Sequence, residues 1–207
     1  YHETLGRYLS MFLLLGIPIY GVRELARLRS NAQELQAGFI LSMIIIQFFI
    51  ALLILLFWIL FFDISIYNNL TIALALSMGF SMEWALHGLE KFKNLAIRNF
   101  IIKLVYVLLV LFMVKDEHDS VIFFSIIIVT NTFMMIWNLF SLFPILRHFS
   151  WSNIQFVVHV KPIAVLFSTI FVISIYTMLD VVLLKEFNAD SEVAVYNIGF
   201  RVPKAAV

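Results

Sequence analysis

The sequence predicts an all-α integral membrane protein, and three observations carry that prediction. Of its 207 residues, 63% are hydrophobic and 13% charged, with a mean hydropathy of +1.01. Soluble domains run about 45–50% apolar and about 25% charged, and one soluble core cannot hide this much apolar surface. Next, six apolar stretches approach the roughly 20 residues that a helix needs to cross a hydrocarbon core of about 30 Å. Finally, the segments between them are short and polar, too short to fold as soluble domains. Other classes fall away on the same figures. Twenty-two Phe and four Trp exclude disorder. Seven Gly, four Pro and no Cys exclude collagen-like and disulfide-rich chains, and thiolate metal sites with them. A net charge of +1 offers no basic stripe, so no nucleic-acid partner is expected.

The apolar stretches are about 4–22, 38–62, 70–87, 97–114, 121–143 and 162–184. In the first, Gly16, Pro18 and Gly21 loosen the helix, and such breaks are tolerated only against protein or water. In the second, Phe39–Phe62 is interrupted only by Ser42 and Gln47. Barrel strands would alternate apolar and polar over about 10 residues, so these are helices. The fifth carries Thr130, Asn131, Thr132 and Asn138, which either bond across helices or line a polar path. Pro162 opens the sixth, where a missing N–H is harmless. A seventh stretch begins near Val193, so about six to seven transmembrane helices are expected. The start at Tyr1 and the end inside an apolar stretch that has only begun predict a piece of a longer chain.

Orientation follows from Lys and Arg in the connections. Alternate loops, taken as 23–37, 88–98 and 144–161, hold Arg23, Arg27, Arg29, Lys91, Lys93, Arg98, Arg147 and Lys161. The opposite set holds only Lys115 and Lys185. The first set is expected to be cytoplasmic, with Asn68, Asp119 and Asn188 outside.

Several charges lie within or beside apolar segments: Arg7, Arg201, Lys204 and Lys103. An unpaired cation at the bilayer centre costs at least about 2.5–3.5 kcal/mol, so each must snorkel, find an anion or face a watery cavity. Lys103, about six residues into its stretch, is within snorkelling reach of the cytoplasmic surface. Arg201 and Lys204 share a helix face at i and i+3. Together these cations could line a cavity that attracts an anionic substrate. Asp180 is a carboxylate deep in an apolar run, fit either for coupling or for capping and ion pairing. Glu83 and Glu90 flank Trp84, His87 and Gly88, and ion pairs with Arg98 or Arg23 explain them most simply. Metal spacing is lacking. No Ser-x-x-Lys, phosphate loop or zinc-hydrolase His pair appears, so neither an enzyme nor a bound cofactor is expected.

Three segments resemble a family. GIPIYGVRE at 16–24, EWALHGLEKF at 83–92 with Arg98 and Lys103 following, and KPIAVLFSTIFVISIYTMLDVVLL at 161–184 followed by Glu192-Val and Tyr196-Asn occur in the family's order. They are similar to the Wzx-type O-antigen and capsule repeat-unit flippases of the bacterial polysaccharide-transporter family. Lys185 and Ala194 stand where that family more often has Gly. The resemblance implies a MATE-like two-lobe helical bundle, with 1–148 in the N-terminal lobe and 149–207 a linker and the start of the second lobe. It implies translocation of an undecaprenyl-pyrophosphate-linked oligosaccharide across the bacterial plasma membrane, in company with membrane lipids and a polysaccharide polymerase complex. Arg7, Arg201, Lys204 and Lys103 would then meet the anionic head. The rival readings are a MATE-type small-molecule exporter and a membrane glycan polymerase or ligase. The first prefers acidic cavity residues, and the second usually needs a large external loop.

Overall fold

A computed structural model describes residues 2–30, 32–116 and 119–187, and of Thr4 and residues 173–187 the backbone alone. Every regular element among the described residues is helical. The helices are α1 (His2–Leu14), α2 (Ile17–Arg27), α3 (Gln33–Phe61), α4 (Ile66–Gly79), α5 (Glu83–Gly88), α6 (Phe92–Met113), α7 (Ser120–Leu146) and α8 (Phe156–Phe187). A 3-10 turn, Trp151–Asn153, precedes α8. The chain divides into two units, Tyr1–Ala164 and Val165–Val207. Among the described residues, five segments are long and apolar enough to cross a membrane: Leu5–Arg27, Gln33–Phe61, Phe92–Met113, Ser120–Leu146 and Trp151–Val172.

The expected span 70–87 is not one helix. α4 has 14 residues, roughly 21 Å, and stops at Gly79. Met82 then takes a left-handed backbone, φ 51°, before α5 begins. The first span is broken as well: Leu15 (φ 42°) and Gly16 (φ 76°) part α1 from α2. The interruption at Gly16 agrees with its glycine, because only a residue without Cβ takes that conformation freely.

The two broken segments lie side by side and parallel. α1 packs chiefly on α4, and α2 on α5. At one end His2 Nδ1 meets Thr71 Oγ1 at 3.3 Å. Farther along, a methyl group placed on Gly79 would fall 2.8 Å from Leu13 Cβ. Beyond the breaks, a methyl on Gly21 would enter the Trp84 ring, and one on Gly88 would crowd Leu25. The pair closes with an ion pair between Arg29 and Glu90. Small residues thus bring the half-helices into backbone contact, the usual device of helix association in lipid.

Other boundaries moved relative to expectation. Arg23, Glu24 and Arg27, expected in a loop, belong to α2, and Glu34 to the first turn of α3. The helix expected to open at Pro162 begins six residues earlier, at Phe156. The 3-10 turn docks on the start of α3: Ser42 Oγ donates to the Gly38 carbonyl and accepts from the Gln155 N–H at 3.0 Å. Outside the spans, Lys91 Nζ donates to the Ser141 carbonyl, and burial pushes its ammonium below the ordinary lysine range.

Candidate functional site

Two polar loci lie among these helices. One is a cavity of about 310 Å³ between α1, α6 and α7, lined by Glu3, Arg7, Lys103, Tyr106, Thr130 and Asn131 together with apolar residues. Arg7 lies one turn from Glu3, and its Nε and Nη2 both donate to Glu3 Oε1, at 3.0 and 2.7 Å. Lys103 faces them from α6. Because α6 starts at Phe92, Lys103 sits eleven residues inside it rather than six. That places it roughly 15 Å from either end of the helix. Two of the four expected cavity cations therefore come together, on different helices. Glu3 is an acid that sequence reasoning passed over, although its i, i+4 spacing to Arg7 is legible. In the same wall, Asn131 Nδ2 donates to Ile127 O at 2.8 Å, and Thr130 Oγ1 to Ile126 O at 2.8 Å. Both bond within α7 rather than across helices.

The second locus is buried and holds the α4–α5 break. Arg98 of α6 is 0% exposed. Its Nη2 donates to Glu83 Oε1 at 2.8 Å and to Asn99 Oδ1 at 2.7 Å, and its Nη1 to Asn138 Oδ1. Asn138 Nδ2 in turn donates to the Ser81 carbonyl. On the other side of the break, Gln47 Nε2 donates to the Gly79 carbonyl at 3.1 Å. A broken helix frees carbonyls that lipid cannot satisfy; here two side-chain amides from α3 and α7 take them. The expected pairing of Glu83 with Arg98 is found. Its companion Glu90 pairs with Arg29, and Arg23 lies 4.0 Å from Glu24 and over the Tyr20 ring. His87 Nε2 is 3.8 Å from Glu83 Oε1. Among the described residues no His, Asp and Glu cluster could hold a metal ion.

Arg201 and Lys204 lie outside the described residues. Asp180 falls in α8, and its side chain is likewise outside them. His159, which no motif singles out, is in α8, and its Nδ1 lies 2.8 Å from the Tyr20 hydroxyl in an aromatic nest with Phe39. Only the tertiary fold brings those residues together, across 139 positions. No family model, curated protein or solved structure matches the chain.

Proposed function

We propose that the chain belongs to a transporter that moves a lipid-linked oligosaccharide with an anionic head across the bacterial plasma membrane. The observation that supports this is the cavity with Arg7 of α1 and Lys103 of α6 in its lining. Two cations and one acid leave a net positive hollow, suited to phosphate or pyrophosphate. Thr130, Asn131 and Tyr106 add hydroxyl and amide groups of the kind that bind sugars. The sequence likeness to repeat-unit flippases points the same way, and with it a MATE-like two-lobe architecture. In this reading the basic connections face the cytoplasm, the lipid tail stays in the bilayer, and the two lobes alternate access around the head. No bond is made or broken. The small-molecule exporter is disfavoured because the one acid in the cavity, Glu3, is already paired with Arg7.

Deletion of the gene is the test. Lipid-linked repeat units should then accumulate on the inner leaflet, and the full-length gene should restore their passage. Lys103→Gln should restore it at least tenfold less well, since a mid-span cation placed for an anion contributes more than about 1.4 kcal/mol, while Lys103→Arg should restore most of it. Normal passage of repeat units in the deletion strain would falsify the proposal.

A further inference from the structure

We infer that Glu3 is a resident competitor for the anionic head: its carboxylate occupies Arg7 while the cavity is empty and gives way when a pyrophosphate enters. The inference rests on the transport reading above and gives Glu3 the role of setting how tightly that head is held. Three observations carry it. Glu3, Arg7 and Lys103 line one cavity. Arg7 Nε and Nη2 both donate to Glu3 Oε1, at 3.0 and 2.7 Å, and neither donates to Oε2. Lys103 makes no hydrogen bond or ion pair among the described residues.

The geometry of the pair favours exchange. Nε and Nη2 form one edge of a guanidinium, and such an edge matches two oxygens of a carboxylate or phosphate through parallel bonds. Glu3 gives both donors the same oxygen, so the edge is filled but not matched. A phosphoryl group brings one oxygen to each donor, and a pyrophosphate has further oxygens to offer Lys103. The incumbent is also loosely held. The side chains of Arg7 and Glu3 are 53% and 41% exposed. Ion pairs at that exposure are weak, because solvent screens them and two long side chains must be ordered. The i, i+4 spacing on α1 keeps a displaced carboxylate within one turn of Arg7, in place to return.

Charge gives the competitor its purpose. With Arg7 and Lys103 against Glu3, the empty hollow carries a net +1, where the two cations alone would give +2. In a site partly shielded from water, attraction between a doubly charged anion and two free cations is stronger than in bulk. Passage across a membrane needs binding firm enough to load and weak enough to release. An acid that reclaims Arg7 as the head departs weakens the final state of binding without removing either cation.

The test is calorimetric titration of inorganic pyrophosphate into the full chain in detergent micelles. Glu3→Gln, Arg7→Gln, their double variant and Lys103→Gln are measured beside the wild type. Glu3→Gln keeps the size of the side chain and removes its charge, and it should tighten pyrophosphate binding about fivefold. A pair that merely steadies α1 would give unchanged or weaker binding, so a gain separates the two roles. In the Arg7→Gln background the same change should give a gain of less than about twofold, because the competition is over Arg7. Binding by Glu3→Gln no tighter than the wild type's would overturn the inference and leave the cavity standing as the anion site. A fivefold gain that persists without Arg7 would overturn it too, since Glu3 would then act through its field and not by occupying Arg7. If no variant binds pyrophosphate, or if Arg7→Gln and Lys103→Gln both bind it as the wild type does, the transport reading of this cavity falls and the inference falls with it.

Discussion

Arg98 shows how one side chain can hold a membrane helix that has come apart. Its guanidinium is fully enclosed and spends its donors on Glu83, Asn99 and Asn138, and Asn138 passes the constraint on to the Ser81 carbonyl. Removing one partner of a buried pair leaves an uncompensated charge, which costs about 3–5 kcal/mol. Glu83 is one-third exposed, so Glu83→Ala should fall near the low end, about 3 kcal/mol. Glu83→Gln, which keeps an acceptor, should cost less, and chemical denaturation of the two variants checks the order. Asp119 supplies the acid-sensitive element. The N–H groups of Lys115 and Asp116 point at its carboxylate and hold it below the ordinary carboxylate range. A depressed folded value means that its contribution is present above the unfolded pKa of about 3.9 and is lost as pH falls through the folded value. The drop in unfolding midpoint between pH 6 and pH 3 should therefore be smaller in Asp119→Asn than in the wild type.

Among the elements, the apolar runs revealed the long helices because lipid leaves the backbone no other partner. α3, α6 and α7 lie where hydropathy puts them, with ends shifted by a few residues. The break in the first span was legible from Gly16 and Pro18. The break between α4 and α5 was not, because no proline marks Phe80–Met82 and Met82 is a poor candidate for a left-handed backbone. What stabilises it are amides 32 and 57 positions away, Gln47 and Asn138, and a single sequence does not show such pairings. Polar residues inside apolar runs were the signal, and Gln47 carried it. Packing between the half-helices gives a sharper test. In most helices Gly→Ala stabilises by up to about 1 kcal/mol. Gly21→Ala should do the reverse by about 1–3 kcal/mol, because its methyl would occupy the Trp84 ring. Trp84→Phe, by shrinking that ring, should recover part of the loss in a thermal melt.

For the whole molecule, an all-helical, membrane-spanning class follows from composition alone, whereas the number of uninterrupted spans required the tertiary contacts. Of the expected cavity cations, Arg7 and Lys103 share one hollow because α1 packs on α4, α4 on α7 and α7 on α6. That adjacency lies beyond hydropathy, which reports depth along one helix and not its neighbours. Sidedness gives the last test. Cysteines placed at Ser30 should label only after permeabilisation, and at Asn68 from outside intact cells. The opposite pattern would invert the proposed orientation.

The clasp between Ser42 and the Gln155 N–H joins residues 113 positions apart. A ribosome adding about 5–20 residues per second needs roughly 6–23 s to travel that far. During that interval α1 to α5 are already available to pack on one another, while the polar seat on α3 waits for a stretch of chain not yet made. Closure of this clasp is thus timed by translation, and a pause before the codon for Gln155 would prolong the period in which quality-control proteases meet it unlatched.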